Sequence, residues 1–362
     1  MMGTRVIGAW LLLGSSLALA FAANACGDDS TSGGTTPNNV DGGGGSDGNA
    51  TNETGPPKSD GAVILPDGPI DPALAAQASV VLASCITEFE ADSVLEQIYS
   101  RIRAGLGDYR GLAACIASKK NGCQAIADCA GVTADLTGPC SDACEGNVAV
   151  GCDDQFKARI DCAFDGRVCT TTTTGSAGCT LPGAPTCDPA SSTSKCGADN
   201  RPITCQSQHE EPGPDCAKYG LTCSAARGQC AGTGGACQGV YGGGSQIVYE
   251  GKSCVGTALS ACVGDGLTML ECGTLVVGSS CQSLGGEGGA TMAYCGLGTA
   301  CKPGDPAQAG CDGDNVVVCN GGRIDKVDCK SLGFSQCIGS GSYAFCGPSL
   351  KASALAMQRD GG

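Results

Sequence analysis

The chain of 362 residues carries 36 acidic against 21 basic side chains, one histidine and only 4% aromatic residues. A net charge of −15 argues against nucleic acid or an anionic lipid surface as the partner. Its 29 cysteines point instead to an exported protein in an oxidising compartment, where disulfides form and persist.

Residues 1–25 read as an export signal, with Arg5 as its positive start, an apolar stretch from Val6 to Ala22, and Ala23-Asn24-Ala25 as a small-x-small cleavage site. A single membrane-spanning helix is the competing reading. Gly27-Asp28-Asp29 stands where a basic stop-transfer cluster would be needed, which disfavours it. Cleavage after Ala25 leaves Cys26 either as a free thiol or as the site of lipoprotein acylation. Lipidation of Cys26 is expected, because it removes one cysteine from an odd total and leaves 28 that can all pair. Residues 26–69 are then the anchor cysteine and a Gly/Asp/Ser-rich tether, including Asp41-Gly-Gly-Gly-Gly45 and Gly55-Pro56-Pro57, too polar to bury a core.

Residues 70–139 read as a small helical bundle. Asp71-Pro72 is an acidic cap followed by proline in the first turn. Behind it Leu74, Ala78, Val81, Leu82, Cys85 and Phe89 recur at steps of three and four. Ser93-Val-Leu-Glu96 is a capping box for a second helix, with Val94, Leu95, Ile98 and Ile102 on its apolar face and Gly105 as its stop. Asp108 caps a third helix carrying Leu112, Cys115 and Ile116, closed by Asn121-Gly122. A short fourth carries Cys123, Ile126 and Cys129 and ends at Gly131. Cys85, Cys115, Cys123 and Cys129 should staple this unit in one of three pairings. Arg101, Arg103 and Lys119-Lys120 read as solvated helix faces.

The remaining cysteines form four runs of six. Residues 140–179 read Cys140, Cys144-x7-Cys152-x9-Cys162-x6-Cys169-x9-Cys179; residues 187–230 read Cys187, Cys196-x8-Cys205-x10-Cys216-x6-Cys223-x6-Cys230. Residues 237–295 read Cys237, Cys254-x7-Cys262-x9-Cys272-x8-Cys281-x13-Cys295, and residues 301–346 read Cys301, Cys311-x7-Cys319-x9-Cys329-x7-Cys337-x8-Cys346. An acid precedes the fourth cysteine of every run (Asp161, Asp215, Glu271, Asp328), and a glycine follows it (Gly166, Gly220, Gly278, Gly333). The last run alternates β-branched residues around Asn320-Gly321, a hairpin signal. The expected fold class is therefore small, disulfide-rich and mixed: an N-terminal helical bundle, then four β-hairpin-rich six-cysteine modules with about three bridges each. Residues 347–362 read as a disordered tail.

Zinc sites use tight C-x2–4-C knuckles in pairs, whereas this chain has no C-x-x-C, Cys140-x3-Cys144 is its closest spacing and His209 is its single histidine. Asp312 and Asp314 around Gly313, with Asn315, match no calcium loop and read as turn caps. His209 lies in a stretch present in one run alone and reads as a loop tip. Asp153-Asp154 and Glu210-Glu211 read as solvated loop acids. No nucleophile elbow, phosphate loop or metalloprotease helix is present. No catalytic residue, metal or cofactor is therefore expected.

The combination of Ala25-Cys26-Gly27-Asp28-Asp29, the tether, Cys311-Asp-Gly-Asp314 and the repeated Asp-Cys and Gly positions resembles cysteine-rich repeat surface lipoproteins of the myxobacterial type. That resemblance implies location and architecture more than activity. The gaps around the third and fourth cysteines are also similar to those of six-cysteine chitin-binding domains, without their aromatics in a shared register. The expected partners are a membrane, through the N-terminal lipid, and an extracellular protein or polysaccharide ligand. A disulfide-rich protease inhibitor, with reactive loops at 206–215 or 282–294, is the alternative.

Overall fold

The computed structural model describes residues 67–86, 90–137, 140–152, 156–173, 175–239, 246–285, 291–303, 309–349 and 351–354. Cys26, the signal, nearly all of the tether, Phe89 and Asp153-Asp154 lie outside these residues.

Four helices open the described chain: α1 (Pro72–Cys85), α2 (Ala91–Arg103), α3 (Tyr109–Lys119) and α4 (Gln124–Ala130). Asp71 Oδ1 accepts the Ala73 amide at 2.8 Å and Asp108 Oδ1 that of Gly111 at 2.8 Å, so both acids cap orphan donors. α2 starts two residues before the expected capping box. Glu90 stands at its cap without a side-chain bond, and Ser93 lies in the first turn, because Ala91 and Asp92 are drawn into the buried face. Cys85–Cys123 and Cys115–Cys129 tie α1 and α3 to the two ends of α4. α2 carries no cysteine.

Each six-cysteine run builds more than the single hairpin expected. It forms a three-stranded antiparallel meander, a 3₁₀ turn and a two-stranded ribbon. A strand leaving α4, β1 (Val132–Leu136), adds a fourth strand to module one, pairing with β4. The rest of that meander is β2 (Ala143–Glu145), β3 (Val148–Cys152) and β4 (Phe156–Asp161), with ribbon β5 (Val168–Thr171) and β6 (Ala177–Thr180). Module two has β7 (Lys195–Cys196), β8 (Pro202–Gln206) and β9 (His209–Pro212), then β10 (Leu221–Ser224) and β11 (Gln229–Gly232). Module three has β12 (Glu250–Val255), β13 (Ala258–Val263) and β14 (Gly266–Glu271), then β15 (Ser280–Gly285) and β16 (Thr291–Gly296). Module four has β17 (Gly310–Asp312), β18 (Asn315–Asn320) and β19 (Arg323–Asp328), then β20 (Gln336–Ile338) and β21 (Phe345–Gly347). Strands this short carry too little alternation to be read singly.

The repeated acid and glycine acquire a physical reason here. Asp161, Asp215 and Asp328 each accept an amide two residues on, at 3.0, 3.1 and 3.0 Å, capping the 3₁₀ turn that begins at or beside the fourth cysteine. Glu271 has the longer side chain and takes the Thr257 hydroxyl at 3.3 Å instead. Gly166, Gly220 and Gly333 then end the turn in the left-handed region, where glycine has no Cβ to clash.

The modules are stitched in series. The segment leaving each ribbon pairs with the second hairpin turn of the next module: Glu210 N–H to Pro185 C=O at 2.8 Å, Gly234 N–H to Leu267 C=O at 2.9 Å, and Leu297 N–H to Gly321 C=O at 2.6 Å. They also surround the helices. Ile70 forms a parallel bridge with Val276 of module three, and the Gly122 amide donates to Leu332 C=O of module four at 2.8 Å. One buried apolar cluster runs from the four helices into modules two, three and four. Module one has its own small cluster (Ala149, Cys162, Ala177, Cys179), and Ile160 packs on both. The helices are thus a hub sharing its core with the modules.

The start of the expected tail is ordered. Gly347 ends β21, residues 351–354 make a helical turn, and Lys351 lies over the Phe345 ring at 5.2 Å while reaching Ala83 C=O. Ala354 is buried, which holds this segment against the fold. Residues 355–362 are outside the described residues.

Candidate functional site

The disulfide frame follows one rule in every module: first to third, second to fifth, fourth to sixth. In module one the pairs are Cys140–Cys152, Cys144–Cys169 and Cys162–Cys179. In module two they are Cys187–Cys205, Cys196–Cys223 and Cys216–Cys230. Modules three and four repeat it with Cys237–Cys262, Cys254–Cys281, Cys272–Cys295, Cys301–Cys319, Cys311–Cys337 and Cys329–Cys346. The second-to-fifth bond ties the meander to the ribbon, and the fourth-to-sixth bond ties the 3₁₀ turn to the last strand. An asparagine prepares the first of these: Asn147 Oδ1 accepts the Cys169 amide and Asn200 Oδ1 the Cys223 amide, both at 2.8 Å. Sequence reading missed both, although each lies between the second and third cysteines of its run.

Chemistry-bearing side chains converge where α2 meets modules three and four. Asn320, expected in a turn, is fully buried at the end of β18, and the turn is Gly321-Gly322, both left-handed. Asn320 Nδ2 donates to Pro72 C=O at 2.8 Å and to Asp325 Oδ2 at 2.7 Å, while its Oδ1 accepts the Tyr99 hydroxyl at 2.5 Å. One amide therefore joins α1, α2 and β19. Two turns earlier on α2, Asp92 is 3% exposed and its Oδ1 accepts the Cys319 amide at 2.8 Å. β17 pairs with β18 only as far as Val317, so this carboxylate serves the strand donor that β17 does not reach. Asp92 Oδ2 has no hydrogen-bond partner. Burial, partly opposed by the Cys319 amide, pushes its pKa up to about 6.

Glu96 and Arg103 continue the seam toward module three. Burial pushes Glu96 up to about 7 against the pull of Arg103 and Lys252, and burial brings Lys252 down to about 8. Arg103 stacks on the Tyr249 ring at 5.6 Å, and Arg101 on Tyr109 at 5.5 Å. These two arginines are therefore packed rather than solvated, because their stems reach rings the sequence places far away or a turn on. Lys119 and Lys120 are exposed, as read.

A second polar joint connects modules one and two. Arg167 forms a paired contact with Glu211, Nη1–Oε1 and Nη2–Oε2 both at 3.2 Å, with the two residues 8% and 2% exposed. Arg167 also donates to Cys179 C=O at 3.1 Å and pairs with Asp165, and Glu211 accepts the Leu181 amide at 3.1 Å. Glu211 is thus not a solvated loop acid. Its neighbour Glu210 pairs with Lys195 at 2.7 Å. His209 is the first residue of β9, its Nδ1 against Ser207 C=O at 2.9 Å, so it belongs to a strand rather than a loop tip. Strand register placed these residues, and no local signal announces it.

Asp312 and Asp314 are held by separate ion pairs. Each is engaged by a lysine, Lys326 and Lys330 respectively, at 2.5 Å, and the Asp312 carbonyl accepts from Asn315 at 3.0 Å. Among the described residues no group of three or more His, Cys, Asp or Glu is placed to hold a metal ion, and no helix is long and apolar enough to cross a membrane. Of the loops expected to be reactive, 206–215 contains β9 and the inward-facing Glu211, while 286–290 lies outside the described residues. Comparison with known protein families, curated proteins and solved structures gives no match.

Proposed function

We propose that the chain is an exported, lipid-anchored protein of the cell envelope, a rigid disulfide-rich scaffold with a non-catalytic binding or structural role in adhesion, ligand capture or surface display. The observation that carries this reading is the closure of the cysteine count. Fourteen disulfides engage every cysteine but Cys26, the one that follows the signal and precedes the tether. A frame with no spare thiol suits an oxidising compartment, and the odd cysteine suits an acyl anchor. In this reading the helical segment is a stapled bundle that orients the four modules as one body, so a ligand meets a fixed surface rather than separate beads. The alternative, a protease inhibitor, finds less support, since β9 and buried Glu211 leave 206–215 without a free reactive loop.

Intact mass of the mature protein, alkylated without and then with reduction, tests the anchor. Acylated Cys26, no label before reduction and 28 labels after it are expected. A label before reduction, or an unacylated Cys26, overturns the reading. Retention on envelope polysaccharide or whole cells, against inhibition of a protease panel, separates the binding role from the alternative.

A further inference from the structure

We infer that α2 is a pH-sensitive latch: its docking on modules three and four tightens in acid and loosens as Asp92 and Glu96 ionise. The geometry carries the argument. Asp92 and Glu96 are four residues apart, on neighbouring turns of one helix face. Asp92 is 3% exposed with a single hydrogen bond, its second oxygen unpartnered. Among the described residues neither carboxylate lies in an ion pair. Asp92, buried, and Glu96, half-buried one turn on, resist ionisation, and a charge on either weakens the interface that covers them.

The surroundings do not cancel this charge. α1 contributes no titratable side chain within its span, only its cap Asp71. α3 contributes Tyr109, which holds Arg101, together with Arg110 and Lys119. β18 has no charged residue, and on β19 Arg323 is engaged by Asp325 at 2.7 Å. β12 offers Glu250 against Lys252, and Glu90 adds a further negative charge beside Asp92. Lys252 and Arg103 therefore offset Glu96 in part, and among the described residues Asp92 has no cation of its own. Burial places both carboxylates near neutrality, at about 6 and about 7, inside the range an exported protein meets.

α2 is also the element free to respond. α1, α3 and α4 are cross-linked through Cys85–Cys123 and Cys115–Cys129, and the modules by their own bridges, whereas α2 has no covalent tie. Its release would uncover Val94, Leu95, Ile98 and Ile102 without unfolding the frame.

Hydrogen exchange on the oxidised full chain, at about pH 5 and about pH 8 with intrinsic rates corrected, tests the latch. Protection of residues 91–103 and 315–320 should be on the order of tenfold greater in acid, while 156–161 in module one, which has its own cluster, changes little. Asp92→Asn with Glu96→Gln should flatten the difference. Equal protection of α2 at both pH values overturns the inference, as does a change shared by module one, or a pH response that survives in the double variant. If the double variant does not fold, the wild-type comparison between segments still decides the matter.

Discussion

At the residue scale the fold depends on a few buried polar groups that bond across long sequence distances. Arg167 and Glu211 are 44 residues apart and nearly solvent-free. Removing one partner of such a pair strands the other charge, so Glu211→Ala should cost about 3 kcal/mol, read as a lower denaturation midpoint. Arg167→Met with Glu211→Leu should recover most of it, because a buried ion pair is often no better than a packed apolar one. Gly322 is constrained in another way. It has φ +87°, and a Cβ there would overlap the Gly298 carbonyl at the junction of modules three and four. Gly322→Ala should therefore destabilise by at least ~1–2 kcal/mol, whereas alanine at Gly278, left-handed but with open space around it, should cost less in the same assay. The repeated acids were visible in the sequence as a pattern, yet their task was not. Asp215→Ala should lose about 1 kcal/mol as a lost cap, read in the same assay.

At the element scale, local signals served the helices better than the strands. Asp71, Asp108, Gly105 and Gly131 mark real helix ends, since capping and left-handed stops are satisfied within a few residues. Ser93 misled because tertiary burial of Ala91 and Asp92 extended α2 backwards. Of the module strands only β18 and β19 were legible, because β-branched residues alternate in them on either side of the turn; β7, with two residues, has no periodicity to read. Short elements rely on their cross-links, and α4 has only seven residues. Cys115–Cys129 closes a separation of 14 residues, and replacing both cysteines by alanine should cost about 3 kcal/mol, measured by urea unfolding of the oxidised chain.

At the scale of the whole molecule, the helices and modules share one apolar cluster, so unfolding of the hub and of modules two to four should be cooperative. Asp92 sets the sign of the pH dependence. Its folded pKa is raised from 3.8 to about 6, so the native state keeps a proton that the unfolded chain has already lost between these values. Stability should fall as pH rises from about 4 to about 6 on this account and then level off, with Glu96 extending the decline toward about 7. Guanidinium midpoints across that window, for wild type and Asp92→Asn, check the direction; a rising midpoint for wild type would contradict it.

Covalent arithmetic and local periodicity were within reach of the sequence alone: an odd cysteine at Cys26, four cysteines able to staple the helices, and four modules in one register, because these depend on counts and on neighbours a few residues apart. Pairing was not, since six cysteines allow fifteen connectivities and only the folded meander brings the first to the third, the second to the fifth and the fourth to the sixth. Nor was the burial of Glu211, Asn320 and Asp92, whose partners lie 44, 221 and 227 residues away. Only packing of the modules around the helices removes those groups from water and decides which of them meet.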